Sequence, residues 1–303
     1  MRTVGIVSPG AMGSAVGAAY ADSGARVVTT LAGRSERTRR LAAAAGLEVL
    51  PDLDGVVAAA DLVVSVAPPD QAEAVAAELA AAAARTGATP LVSDWNAVSP
   101  ATARRIGATL EAAGLELVDG SISGGPPNAG YRTRVYLSGP RARELAESAP
   151  AWVDARVVGE EIGLASAVKM CTASVYKGFG ALLTHALVTA EAHGVLAQVL
   201  DDLHDSFPRQ LDRAARLVAV SATKAERYVG EMREIAATQA TVGLPAALFE
   251  AMAEVYGAVA RTPAAGDAPE DVEAEPDLPE LLARLRPPAS GDPASTDDEE
   301  VLR

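Results

Sequence analysis

The chain is predicted to be an α/β protein, a doubly wound parallel sheet followed by an all-helical C-terminal domain. Three observations predict it. Short apolar runs alternate with alanine-rich helical segments through the first half, the pattern of a parallel sheet covered by helices on both faces. After Gly159 the alternation stops and only helical periodicity follows. The first apolar run, residues 3–7, passes through a Gly/Ser turn straight into a helix, as the first unit of such a sheet does.

Strands are expected at 3–7, 26–31, 62–66, 91–93 and 115–118, separated by helices near 11–23, 35–45, 70–85 and 99–113. Ser99 suits the N-cap of the last of these, with Pro100 in its first turn. Strands at 133–138 and 152–158 flank a helix at 141–148 and extend the sheet. Helices follow near 162–193, 195–205, 208–219, 222–242 and 245–260, with Gly194, Gly243 and Pro245 marking breaks. The domains expected are therefore 1–160, the sheet, and 161–261, the helices. Residues 262–303 carry 12 acids against three arginines and are rich in Pro, Ala and Gly. Such a composition buries too little apolar area to offset its ordering entropy, so an acidic disordered tail is expected there, with one short helix across 278–286.

With 303 residues, 49% apolar and 4% aromatic, the chain has enough Ala, Val and Leu for two cores. A net charge of −14 and a pI near 4.7 exclude a nucleic-acid or anionic-membrane surface, which needs clustered Lys and Arg. The single cysteine, Cys171, excludes an internal disulfide framework and suits a reducing cytoplasm; its expected role is as a small packed hydrophobe. No secretory signal is expected, and the apolar stretch 162–200, interrupted by Lys169, Lys177, His185 and Glu191, reads as a buried helix rather than a membrane span. His185, His193 and His204 have no metal-ligand spacing, so no metal is expected.

The turn after the first strand reads Ser8-Pro9-Gly10-Ala11-Met12-Gly13. A strand that ends in a tight turn at a helix start leaves free N–H groups and a partial positive charge facing one point, where a pyrophosphate fits. The usual pattern is Gly-x-Gly-x-x-Gly, and Ser8 stands in its first position. Gly10 lets the backbone approach the phosphates and Gly13 lets the helix pack on the strand. At the end of the second strand an NAD site needs an acid for the ribose diol, but Leu31 to Arg40 read LAGRSERTRR. Arg34 and Ser35 suit a 2′-phosphate, which favours NADP over NAD; a solvated basic helix start is the other reading. The loops Ser65–Ala72, with Pro68, and Ser93–Ala103, with Asn96, follow strand ends on the edge where such sheets bind ligands, and each is also ordinary turn chemistry. Ser123, Gly124 and Gly125 form either a nest for a carboxylate or phosphate or simply a loop. Lys169 lies on a small-residue apolar face near the start of the long helix, where packing lowers an amine's pKa towards neutrality; a snorkelling surface lysine is the alternative. Tyr176 lies near it at helical spacing.

In this order and at these separations, residues 3–260 resemble the β-hydroxyacid dehydrogenase and 6-phosphogluconate dehydrogenase superfamily, as a subgroup with its own C-terminal helical domain. The resemblance implies a Rossmann domain that binds NADP through Ser8, Gly10, Ala11, Met12, Gly13, Arg34, Ser35, Pro68 and Asn96. It implies that Ser123, Gly124 and Gly125 hold substrate and that Lys169 is catalytic, with Tyr176 as a second polar group. It also implies a homodimer acting on a small molecule. The departures are Ser8 for the first glycine, Ala165 in the Gly-x-Gly before the lysine, Ala173 where the family has Asn, and Tyr176 where sugar-phosphate enzymes have Glu. The function implied is hydride transfer at a CH–OH carbon of a small β-hydroxy acid. The alternatives are an imine reductase and a non-catalytic NADP-binding sensor.

Overall fold

A computed structural model describes residues 2–269 and 271–286. Eight strands, β1 (Thr3–Val7), β2 (Arg26–Thr30), β3 (Glu48–Leu50), β4 (Leu62–Ser65), β5 (Leu91–Asp94), β6 (Leu117–Ser123), β7 (Thr133–Ser138) and β8 (Val153–Gly159), form one sheet in the order β3-β2-β1-β4-β5-β6-β7-β8. Helices α1 (Ala11–Asp22), α2 (Glu36–Ala44), α3 (Leu53–Ala59), α4 (Ala72–Thr86), α5 (Pro100–Glu111) and α6 (Ala142–Glu147) lie between the strands. After β8 come α7 (Leu164–Ala192), α8 (Leu196–Ser206), α9 (Pro208–Leu211), α10 (Ala214–Ala222), α11 (Ala225–Ala240), α12 (Ala247–Val259) and α13 (Leu278–Arg284).

The sheet is apolar on both faces, as a parallel sheet under two helical layers must be. Val4, Ile6, Val64 and Val118 bury one face, and Val63, Val92 and Leu117 the other. Gly5 in β1 faces α3: a Cβ there would lie 2.7 Å from Val56 Cγ1. The strand order turns back on itself at β1, with β2 on one side and β4 on the other. The crevice at the carboxyl ends of β1 and β4 is thus the topological switch point.

Several sequence expectations need correction. The edge strand β3 and helix α3 are additions to the expected elements; β3 has three residues, too few for its alternation to register, although Asp52 marks the start of α3 by accepting from the Gly55 N–H at 2.8 Å. The strand expected at 115–118 runs over Leu117–Ser123, so Ser123 ends a strand and only Gly124 and Gly125 of the expected nest lie beyond it. β7 runs antiparallel to β6, because the nine residues between them are too short for a parallel crossover. The helix expected at 208–219 is broken between Leu211 and Ala214. The tail expected to be disordered from 262 includes a 3-10 turn at Pro263–Gly266, and the short helix expected across 278–286 forms as α13, capped by Asp277 and burying Leu281 and Leu282. Two leucines at adjacent helix positions suffice to dock this short helix. Residues 287–303 lie outside the described residues.

Packing divides the described residues into two units, one up to Val175 together with Gly230–Glu250, the other Tyr176–Val229 together with the described residues from Ala251 onward. In the first, Glu234 of α11 accepts from the Ser99 N–H at 2.6 Å and the Thr102 hydroxyl at 2.9 Å, at the start of α5. In the second, Tyr228 and Tyr256 meet edge to face at 5.1 Å, and the Tyr256 hydroxyl donates to the Lys177 carbonyl at 2.7 Å. No helix among the described residues is long and apolar enough to cross a membrane.

Candidate active site

The turn from β1 to α1 has the shape its residues require. Ser8 adopts a left-handed φ of 64°, which glycine reaches freely and serine only with strain. The Gly10 N–H donates to the Ser8 carbonyl at 2.8 Å and the Ser14 hydroxyl to the Pro9 carbonyl at 2.6 Å, closing the turn. A Cβ on Gly13 would run into the Ser8 carbonyl oxygen, so glycine there permits the close approach of α1. The helix starts at Gly10 without a side-chain cap, and the Ser8 hydroxyl is buried without a partner. Uncapped first-turn N–H groups, an orphaned hydroxyl and a glycine-only approach fit a pyrophosphate.

At the end of β2, no acid occupies the position of a ribose-diol partner. Arg34 is half-buried, and Ser35 is the N-cap of α2, its hydroxyl accepting from the Thr38 N–H at 3.3 Å. Pro68 follows β4, half-buried, at the switch point. Asn96 is buried at 2% exposure. Its Oδ1 accepts from the Ala67 N–H at 2.6 Å, and its Nδ2 donates to Ser65 Oγ at 3.1 Å and Asp94 Oδ2 at 2.7 Å. Its amide is therefore spent on the loop that carries Pro68, so Asn96 positions that loop. Asp94 accepts from both the side chain and the backbone of Asn96, yet burial outweighs these bonds and pushes its carboxyl up to about 7.

The second cluster gathers at β6. Asp119, to which the sequence pattern assigns no role, accepts from the Gly163 N–H at 2.8 Å, the Ser166 N–H at 3.1 Å, the Ser166 hydroxyl at 2.7 Å and the Ser138 hydroxyl at 3.0 Å. It is a carboxylate cap on α7 supplied from another element, and burial raises its pKa. The Ser121 hydroxyl donates to the Ala165 carbonyl at 2.8 Å, and the Ala165 N–H to Ser138 at 3.0 Å. These bonds place the sixth residue of α7, Lys169, so that its Nζ donates to the Ile122 carbonyl at 2.6 Å. Ser123, half-buried, is the next residue, and Gly124 and Gly125 follow it, exposed. Gly124 has φ 146° and lies against the Tyr131 hydroxyl. The signal for Asp119 was present in the sequence as an acid inside an otherwise uncharged strand.

The structure thus forms two groups of the expected residues, Ser8 to Gly13 with Pro68, and Ser123 to Gly125 with Lys169. Tyr176, seven residues further along α7, is 71% exposed. Cys171 is exposed rather than packed in a core, on a different side of α7 from its buried neighbour Met170.

A doubly wound sheet with an uncapped, glycine-lined helix start at its switch point defines a dinucleotide-binding protein. Residues 3–151 match the NAD binding domain of 6-phosphogluconate dehydrogenase, and residues 190–259 match a domain of unknown function, DUF1932. The chain belongs to the 6-phosphogluconate dehydrogenase-like superfamily, with DUF1932 as its C-terminal domain. A conserved hypothetical protein from Sinorhizobium meliloti is 28% identical, with a TM-score of 0.63 over 94% of this chain and 97% of that one. Two further structures, each under 25% identical, share the fold. The 3-hydroxyisobutyrate dehydrogenase of Mycobacterium tuberculosis is 22% identical (TM-score 0.64, 95% of this chain and 100% of that one). An imine reductase of Streptomyces aurantiacus is 20% identical (TM-score 0.56, 89% and 97%).

Proposed function

We propose that the protein is an NADPH-dependent oxidoreductase that moves hydride to or from the CH–OH carbon of a small β-hydroxy acid. The observation that carries this reading is the Lys169 ammonium on the Ile122 carbonyl at 2.6 Å, one residue from the Ser123-Gly124-Gly125 turn. The N–H groups of Ala11, Met12 and Gly13 and the Ser8 hydroxyl hold the pyrophosphate, Arg34 and Ser35 the 2′-phosphate, and Pro68 walls the cleft. The reduced nicotinamide, when bound, supplies hydride. Ser123 and the following N–H groups seat the substrate carboxylate. Lys169 Nζ gives its proton to the carbonyl oxygen as the alcohol forms, and takes it back in oxidation. The 3-hydroxyisobutyrate dehydrogenase likeness supports this chemistry. Val175, Tyr176 and Leu182, each more than 60% exposed on α7, support a homodimer whose second copy covers them. The acidic surface and reducing-compartment cysteine count support a cytoplasmic location.

A second reading, imine reduction, is supported by Ala173, an apolar side chain 3% exposed one turn beyond Lys169, and by the imine reductase likeness.

The test is NADPH and NADH turnover against keto acids, hydroxy acids and cyclic imines, for wild type, Lys169→Ala and Arg34→Ala. Lys169→Ala is expected to lower kcat at least about 100-fold with NADPH affinity retained, and an unchanged rate removes Lys169 from the chemistry. Arg34→Ala is expected to weaken NADPH alone, and equal loss with NADH removes the 2′-phosphate assignment. Turnover restricted to imines selects the second reading. Tight NADPH binding without any turnover leaves a sensor.

A further inference from the structure

Resting on the oxidoreductase reading above, we infer that the substrate carries a second anionic group, remote from its reacting carbon, and that Arg134 and Arg156 select for it. Ser123 of β6 is directly opposite Arg134 of β7, and across the next pair Arg134 is opposite Asp154 and Tyr136 opposite Arg156. Residues directly opposite one another share a face of the sheet, so the two arginines stand on the face that presents Ser123. With Tyr131, Arg132 and Asp154 they line a cavity of about 580 Å³ that opens beside Ser123.

The charge in that cavity does not balance. Asp154 Oδ2 accepts from Arg156 at 3.0 Å (Nε) and 2.9 Å (Nη2) and from Arg134 Nε at 3.5 Å, while Arg132 donates to the Val153 carbonyl at 3.1 Å. Three guanidiniums face one carboxylate, in a chain whose net charge is −14. Like charges held together repel, and an anion entering the cavity relieves that repulsion. Asp154 holds both guanidiniums by one oxygen, which leaves further N–H donors of each fork for carboxylate or phosphate oxygens. The carboxylate of a monoanionic hydroxy acid is already accommodated at Ser123 to Gly125, so the surplus positive charge matches a second group. That group is a carboxylate or a phosphate ester at the far end of the molecule.

Calorimetric titration of the full chain saturated with NADPH, using malonate, inorganic phosphate and acetate as probes, tests the site apart from turnover. Arg134→Gln and Arg156→Gln are each expected to weaken malonate or phosphate binding at least tenfold and to leave acetate and NADPH unchanged. Arg134→Lys, which keeps the charge and loses the fork, should fall between. Both arginines are about half exposed, so thermal midpoints should move little. Preference for malonate assigns a second carboxylate, and preference for phosphate a phosphate ester. Failure of both probes to bind, or equal affinity in wild type and variants, overturns the site. In turnover, KM for dianionic keto acids should rise at least tenfold in the variants with kcat within twofold. Equal use of monoanionic and dianionic acids by all variants overturns this inference and leaves the oxidoreductase reading intact. Arginine-dependent malonate binding with no turnover keeps the anion site and sinks that reading.

Discussion

Two helices in the sheet-bearing unit begin with the same device and finish it differently. Each has a glycine at or near its start with no room for a side chain: a Cβ on Gly13, in the first turn of α1, would meet the Ser8 carbonyl, and Gly163, just before α7, has φ 104° and a would-be Cβ 3.2 Å from the Pro100 carbonyl oxygen. Each helix N-terminus offers N–H groups and partial positive charge. At α7 the chain fills that position with the Asp119 carboxylate. At α1 no side chain caps the helix. One anion seat is structural and supplied internally, while the other is left for a ligand.

The contrast can be broken from either side. Asp119→Ala removes the acceptor of four buried donors, each costing about 1–3 kcal/mol when unsatisfied; allowing for non-additivity, urea denaturation should show a loss on the order of 3–5 kcal/mol. Asp119→Asn, which keeps the shape, should lose less.

A second buried carboxyl sharpens it. Asp94 has its folded pKa raised to about 7 from 3.8, so its stabilising form is the protonated one. That contribution is full below about pH 4 and is lost as pH rises through 7. Asp119, also raised by burial, acts in the same direction. Urea midpoints between pH 4 and 8 should therefore fall less steeply with rising pH in Asp94→Asn than in wild type. The difference accumulated across the window should be on the order of 2–4 kcal/mol.

Closing the open seat should cost affinity more than fold. Gly13→Ala forces the turn away from the Ser8 carbonyl, and NADPH binding followed by fluorescence should weaken at least about tenfold, or roughly 1.4 kcal/mol. The smallest effect is expected from Ser8→Gly, which relieves the left-handed strain. It should stabilise the apo chain by about 1 kcal/mol while weakening NADPH if the orphaned hydroxyl binds phosphate. Stabilisation with unchanged affinity would make Ser8 a strained residue and nothing more.

Much of this was legible before any coordinates. The β1–α1 turn, the alternation up to Gly159 and the long helix from 164 could be read because local periodicity and glycine placement carry them. The short edge strand β3, the antiparallel turn into β7 and the burial of Leu281 and Leu282 by the expected helix at 278–286 could not, since each depends on what the segment packs against. Within the site, Ser8, Gly10, Gly13 and Lys169 were visible as types at spacings. The consumption of the Asn96 amide by its own loop and the capping of α7 by Asp119 were not.

The residues alone therefore specified which chemistry was on offer: a phosphate-sized gap in a turn, an amine near a helix start, a serine followed by two glycines. Three-dimensional packing chose how those groups are used, spending Asn96 on its own loop, assigning Asp119 to a helix 44 residues away and gathering arginines from β7 and β8 around one aspartate. The reason is that side-chain type and turn geometry are local properties. Whether a polar atom is satisfied depends on neighbours brought from distant parts of the chain, and only folding supplies them.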